Sequence, residues 1–373
     1  MIIFIKKYIN NIAMETTISD IRLASDFKGI TFSNFKNTDV KRELLKSLKE
    51  EKIEPSCYWS AEMICSGHYG DLWDILILFY TKYIHLGNSK IAIYLDMRIN
   101  SFKDIVNNGY VSNELQLRNN TKIRRLFCEI VCVLCLARRS HSYDLIKMHD
   151  IDYDMTKMME KMKATKLTYG EKTFKEEDPK ELFISINELA YNVSKDNQNT
   201  MNACYWMEWI LYFEKRAKKK KEKIECERRT IINVNSKYQK EVVWIIWETI
   251  LSESKNHSKI IQKIIKSLLS IFCLKYASSV ISKRKYVLYF AITLLCENVT
   301  VSGDIIEETN REIITKVINK IDQIYKQIKK GEMSPGTDYL FKDSKAINLQ
   351  NTISKMDQLN SFEETFIPRI PDK

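Results

Sequence analysis

Ten residues, Glu62-Met-Ile-Cys-Ser-Gly-His-Tyr-Gly-Asp71, place an acid, a thiol, an imidazole and a second acid close together in the chain, and His85 follows soon after. Cys65 as a nucleophile needs His68 within hydrogen-bond reach as its base, and a donor for the oxyanion. Three-apart spacing on a helix gives reach but seldom alignment. Gly67 and Gly70 fit better as a corner between two helices that His68 helps to shape. No catalytic residue is assigned, and an enzyme built on Cys65 and His68 is the last of three functional readings. Zinc is served no better, because the surroundings of His68 and His85 hold neither a C-x2-C pair nor an H-E-x-x-H helix. Cys128, Cys132 and Cys135 have a C-x3-C-x2-C spacing that holds iron–sulfur clusters when it lies on a loop. Here it lies in Phe127-Cys-Glu-Ile-Val-Cys-Val-Leu-Cys-Leu136, an apolar run without glycine, so buried thiols are expected and no metal. The nine glycines are too scattered to cradle phosphate, and no nucleotide-binding or nucleophile-elbow motif occurs; no cofactor is expected.

The strongest surface feature is Glu214 to Arg229, with nine Lys or Arg against four Glu. Lys215, Arg216, Lys218, Lys219, Lys220, Lys221, Lys223, Arg228 and Arg229 on one helix would neutralise phosphates without reading sequence, and the same run suits a nuclear localisation signal. The interleaved glutamates equally allow a solvated helix laced by ion pairs four residues apart. Tyr205, Trp206, Trp209, Tyr212 and Phe213, just before it, are spaced for packing rather than for stacking bases. A second candidate lies in the polar tail, where Ile353, Met356, Leu359, Phe362 and Phe366 follow the Pro335-Gly336 break at spacings that suit a partner-docking peptide or a plain disordered terminus.

The elements that carry these residues read as helices. Gly (9) and Pro (5) are few in 373 residues, and 45% of the chain is hydrophobic, which fits long helices and a large core. The expected fold is all-α, an irregular multi-helix bundle with one small β-hairpin turning at Gly170 within Leu167 to Phe174. An N-terminal helical subdomain covers 1–150, a boundary segment 151–177, a C-terminal helical subdomain 178–330 and a flexible tail 331–373. Asp39 opens a short polar surface helix over Lys41 to Glu51. Leu126 to Leu136 is apolar nearly all round and marks a central buried helix. Asp178-Pro179-Lys180-Glu181 reads as a helix start with an acidic N-cap. The last helix begins near Ser302, turns Ile306, Ile313, Val317, Ile321, Ile324 and Ile328 to one side, and stops at Gly331. The apolar stretches Ile75–Thr81, Ser267–Leu274 and Tyr286–Cys296 fall short of the roughly 20 residues a membrane span needs. With no secretory signal and thiols set in apolar runs, a reducing compartment is expected, and Met14 is an alternative start.

The segment Ser60-Ala-Glu-Met-Ile-Cys-Ser-Gly-His-Tyr-Gly-Asp-Leu-Trp73, with Lys82-Tyr-Ile-His-Leu-Gly-Asn88, resembles a protein family of the nucleocytoplasmic large DNA viruses, of mimivirus and phycodnavirus type. Lys285-Tyr-Val-Leu-Tyr-Phe290, Ser334-Pro-Gly-Thr-Asp-Tyr-Leu340 and Phe366-Ile-Pro-Arg369 extend the resemblance over most of the chain. It implies a virus-encoded product in the host cytoplasm or virion, or in the nucleus through the lysine run, and supplies no catalytic residue. The expectation is a non-enzymatic interaction or scaffold protein of viral replication, transcription or assembly, with viral or host proteins as partners. The alternative is a sequence-nonspecific accessory factor that binds DNA or RNA through the basic helix.

Overall fold

Helices organise around two segments that are buried over most of their length. The computed structural model describes residues 16–333 apart from 112, 232, 233, 300 and 302. In the first half lie α1 (Asn37–Lys49), α2 (Ile53–Cys65), α3 (Tyr69–Phe79), α4 (Ile91–Asn107), α5 (Thr121–Leu136) and the short α6 (Met155–Lys161). Then come α7 (Phe183–Val193), α8 (Thr200–Lys219), α9 (Val243–Ser254), α10 (Lys259–Phe272), α11 (Val280–Lys283), α12 (Lys285–Cys296) and α13 (Glu308–Lys329). Among the described residues no strand forms, and only Ile30 and Lys36 make an isolated bridge.

α5 starts where the Asn120 side chain accepts the free N–H groups of Lys122 and Ile123, and it buries Ile123, Phe127, Ile130, Val131 and Leu134 completely or nearly so. Each such side chain contributes about 1.5–3 kcal/mol by leaving water. α2, α4 and α13 pack around it. α12 is the second hub, buried from Val287 to Cys296 and enclosed by α8, α9 and α10. α10 also packs along α4, and α13 packs on α2 and α5, so one buried cluster runs through residues on both sides of the 151–177 segment.

Several sequence expectations need correction. The hairpin at Leu167 to Phe174 is a helical turn, in which the Gly170 carbonyl accepts from the N–H groups of Thr173 and Phe174. Gly170 is pressed against α7, its N–H donating to Asn187 Oδ1 at 2.9 Å, and a Cβ there would meet the Asn187 Cα at 3.1 Å. α1 is not a free surface helix: Val40, Leu44 and Leu48 are buried against α2. In α13 the covered face is Ile314, Ile321, Ile324, Tyr325 and Ile328, while Ile313 is exposed. α13 begins at Glu308 rather than near Ser302. Asp178 caps nothing; it is buried, Pro179 precedes a single 3-10 turn, and α7 begins at Phe183.

Candidate functional site

The basic run is not one helix. α8 begins on the Asn199 side chain and stops at Lys219, where the Lys221 N–H donates to the Lys218 carbonyl and the Glu222 N–H reaches back to Ala217. That pair of bonds is the Schellman stop, and it puts Lys221 at φ +62°, a conformation for which glycine is the usual residue. The chain then returns alongside residues 239–240, with the Cys226 N–H donating to Lys240 and the Arg229 N–H to Gln239.

This path sorts the nine candidate cations. Lys215, Lys218, Lys219, Lys220, Lys221, Lys223 and Arg228 are exposed. Among the described residues Lys218 pairs with Glu214 at 3.1 Å and Lys223 with Glu225 at 2.7 Å, while Lys215, Lys219, Lys220, Lys221 and Arg228 meet no carboxylate at ion-pair distance. Arg216 is half-buried; it pairs with Asp150 at 3.0 Å and lies 4.1 Å over the Tyr153 ring, holding that segment on α8. Arg229 is no surface cation at all. Its side chain is 3% exposed, it forms an ion pair with the fully buried Asp178, and it donates to Glu248 at 2.7 Å and to the Thr173 carbonyl at 3.0 Å. Burial opposes ionisation of Asp178, yet the guanidinium and the N–H groups of Lys175 and Glu227 hold its carboxyl below the usual range.

The fold adds cations that lie far away in the chain. A groove of about 690 Å³ between residues 145–149, α8 and residues 278–285 sets exposed Lys147 and His149 and half-buried Lys285 around Lys215 and Lys218. Its floor holds Glu208, which accepts from Lys285 Nζ at 2.5 Å and from Tyr289, and the buried Glu214. The rim is therefore basic over a mixed floor. Lys147 stands alone in the sequence and Lys285 ends the separate basic run Lys283-Arg284-Lys285, so only their arrangement in space brings them to Lys215 and Lys218.

Comparison with protein-family models, with curated proteins and with solved structures finds no match. The chemistry of the remaining candidates therefore rests on their geometry.

The Cys65 and His68 pair does not form a nucleophile and its base. Cys65 is fully buried in α2, and burial pushes its thiol far up. The His68 ring Nε2 lies 2.9 Å from the Ile30 carbonyl, holding the corner between α2 and α3. The acids of the same stretch are also held by the fold. Glu62 Oε1 accepts from Thr31 Oγ1 at 2.8 Å and Ser33 N at 2.5 Å, and Oε2 from Ser33 Oγ at 3.0 Å, while burial raises its carboxyl. Asp71 accepts from Lys41 and Asn37.

One cluster escaped sequence reading. Cys57 of α2 joins Cys128 and Cys132 of α5, and the three Sγ atoms lie within 4.8 Å of one another. All three are buried, and hydrogen bonds from the Cys132 and Cys57 thiols draw the Cys128 thiol down. These sulfurs are the described residues best placed to hold a soft metal ion, and among the described residues no fourth His, Cys, Asp or Glu joins them. Cys135 stands apart from the trio and, with its own thiol raised by burial, is a packing residue. The five apolar tail residues Ile353, Met356, Leu359, Phe362 and Phe366 lie outside the described residues.

Proposed function

We propose that this protein is a non-enzymatic interaction protein that engages a polyanion, nucleic acid first, through the lysine-covered end of α8. The observation that carries the reading is the crowding of seven exposed cations on one helical turn and its return, five of them without a carboxylate partner among the described residues. The left-handed turn at Lys221 spreads them around the end of the helix instead of along one stripe, and Lys147 faces them across the groove. Such a surface displaces counterions from phosphates and needs no base contacts, so the binding it supports is sequence-independent and salt-sensitive. A role in viral replication, transcription or assembly rests on the resemblance of Ser60–Trp73 and the other matching segments.

The test is binding of the whole protein to labelled single- and double-stranded DNA and RNA across a salt series, beside a variant with Lys218, Lys219, Lys220 and Lys221 changed to Glu. The expected result is affinity that falls roughly 10³-fold between 50 and 200 mM salt, and that the variant loses. Absence of binding at low salt would overturn the polyanion reading and leave protein partners, with the tail as the place to look for their contacts.

A further inference from the structure

Away from the basic turn, the sulfurs of Cys57, Cys128 and Cys132 meet in the core from two helices. Cys128 and Cys132 stand four residues apart on one face of α5, and α2, which packs along α5, brings Cys57 to them. The three residues are only 1%, 2% and 0% exposed. The C-x3-C-x2-C spacing is thus half used: the fold keeps its first two cysteines and sets Cys57, from another helix, where the spacing would place Cys135.

Size and coordination choose the occupant. A thiolate lies roughly 2.3 Å from a closed-shell ion, so three of them around one ion stand about 4 Å apart. Sulfurs within 4.8 Å of one another reach that arrangement when each moves inward by about half an ångström. The space suits one ion and not an iron–sulfur cluster, whose irons hold their thiolates on separate corners. Structural zinc takes four protein ligands, and catalytic zinc takes three with a water. Here no fourth His, Cys, Asp or Glu joins the trio among the described residues, and burial shuts out solvent. Copper(I) remains among the soft ions that thiolates select. An ion held by three thiolates is a net anion, and α5 carries a buried cation to set against it. Arg124, one turn before Cys128, is 3% exposed and meets the carbonyls of Arg118 and Thr16, Asn119 Oδ1 and the Tyr325 ring, with no carboxylate at ion-pair distance among the described residues. We propose that Cys57, Cys128 and Cys132 form a buried three-coordinate copper(I) site that ties α2 to α5. Binding exchanges thiol protons for the ion and changes no oxidation state.

Entry requires the core to open. The reduced full chain is therefore loaded with copper(I), added without oxygen as its acetonitrile complex, in urea below the unfolding midpoint that is then dialysed away. A chromogenic copper(I) chelator removes loosely held ion. Expected are one copper per chain after the chelator, and X-ray absorption that shows three sulfurs at roughly 2.3 Å and no fourth ligand. The thermal midpoint should rise by roughly 5 °C or more. In the same urea, copper should slow alkylation of Cys57, Cys128 and Cys132 at least tenfold more than that of the other cysteines, read by peptide mapping of the unaltered chain. Cys57→Ala should lose its copper to the chelator, and Cys135→Ala should keep it. A chain stripped of copper by the chelator, a sulfur count other than three, or protection that includes Cys135 and omits Cys57 overturns the site.

Discussion

Arg229 shows how little a residue's type says about its work. Nine basic side chains stand within sixteen residues, and eight keep some contact with water while Arg229 is sealed in a pair with Asp178. Taking one partner from such a pair strands the other charge in a low-dielectric site, which costs about 3–5 kcal/mol, whereas an exposed lysine costs little to remove. Arg229→Ala should therefore lower the free energy of unfolding by that amount, read as a lower midpoint of urea unfolding at unchanged slope, and Lys220→Ala should leave the midpoint in place. The two variants should separate in the opposite sense in a salt series, where only Lys220→Ala weakens nucleic-acid binding directly. Equal stability of the two would contradict the burial of Arg229.

Elements carry strain where they must turn in a crowded core. α3 does not end in an ordinary cap: Tyr80–Ile84 winds as a π-turn, and His85 follows at φ +26°. His85 is buried, stacked 4.3 Å from Tyr143 and edge-on 4.9 Å from His141, with its Nε2–H donating to the His141 carbonyl and Nδ1 unpartnered. Burial lowers its pKa to about 4, against about 6.5 in the unfolded chain. Between those values the unfolded state takes a proton that the folded state refuses, so stability is full above about pH 6.5 and falls as pH drops toward 4, by at most ~1.4 kcal/mol per pH unit. His85→Gln should flatten that part of the pH profile of chemical denaturation by about one proton. An unaltered profile would show that His85 does not titrate there.

At the scale of the molecule, the chain closes by bringing distant segments onto α5. Tyr325 of α13 is buried beneath the Arg124 guanidinium, 4.0 Å from its ring, and Arg124 in turn donates to the Arg118 and Thr16 carbonyls. Asp20 pairs with Arg22 at 2.7 Å and accepts from the Met333 N–H, so residues 20–22 and the end of α13 are clasped together. Inside this closure all nine cysteines are free and buried. Fewer than one thiol per chain should react with a thiol-specific reagent at neutral pH in the native state, and nine after unfolding. Rapid labelling of a native thiol would mean that the core opens, with Cys128 the first to suspect because its thiolate is the most favoured.

Local periodicity in the sequence determined that the chain is helical, that 126–136 is a buried helix, and that the last helix stops just before Gly331. Burial at i, i+3 and i+4 is a local property, legible wherever both faces of a helix are apolar. The stop of α8 was not legible, because four lysines continue a helix well and no glycine marks Lys221. Only tertiary structure decided which charges face water, since Asp178 lies 51 residues from Arg229 and each looks like a surface group alone. The same holds for the Cys57, Cys128 and Cys132 trio and for Lys147 beside Lys215. Each is a meeting of residues far apart in the chain, and such meetings are set by how helices pack rather than by the order in which they are written.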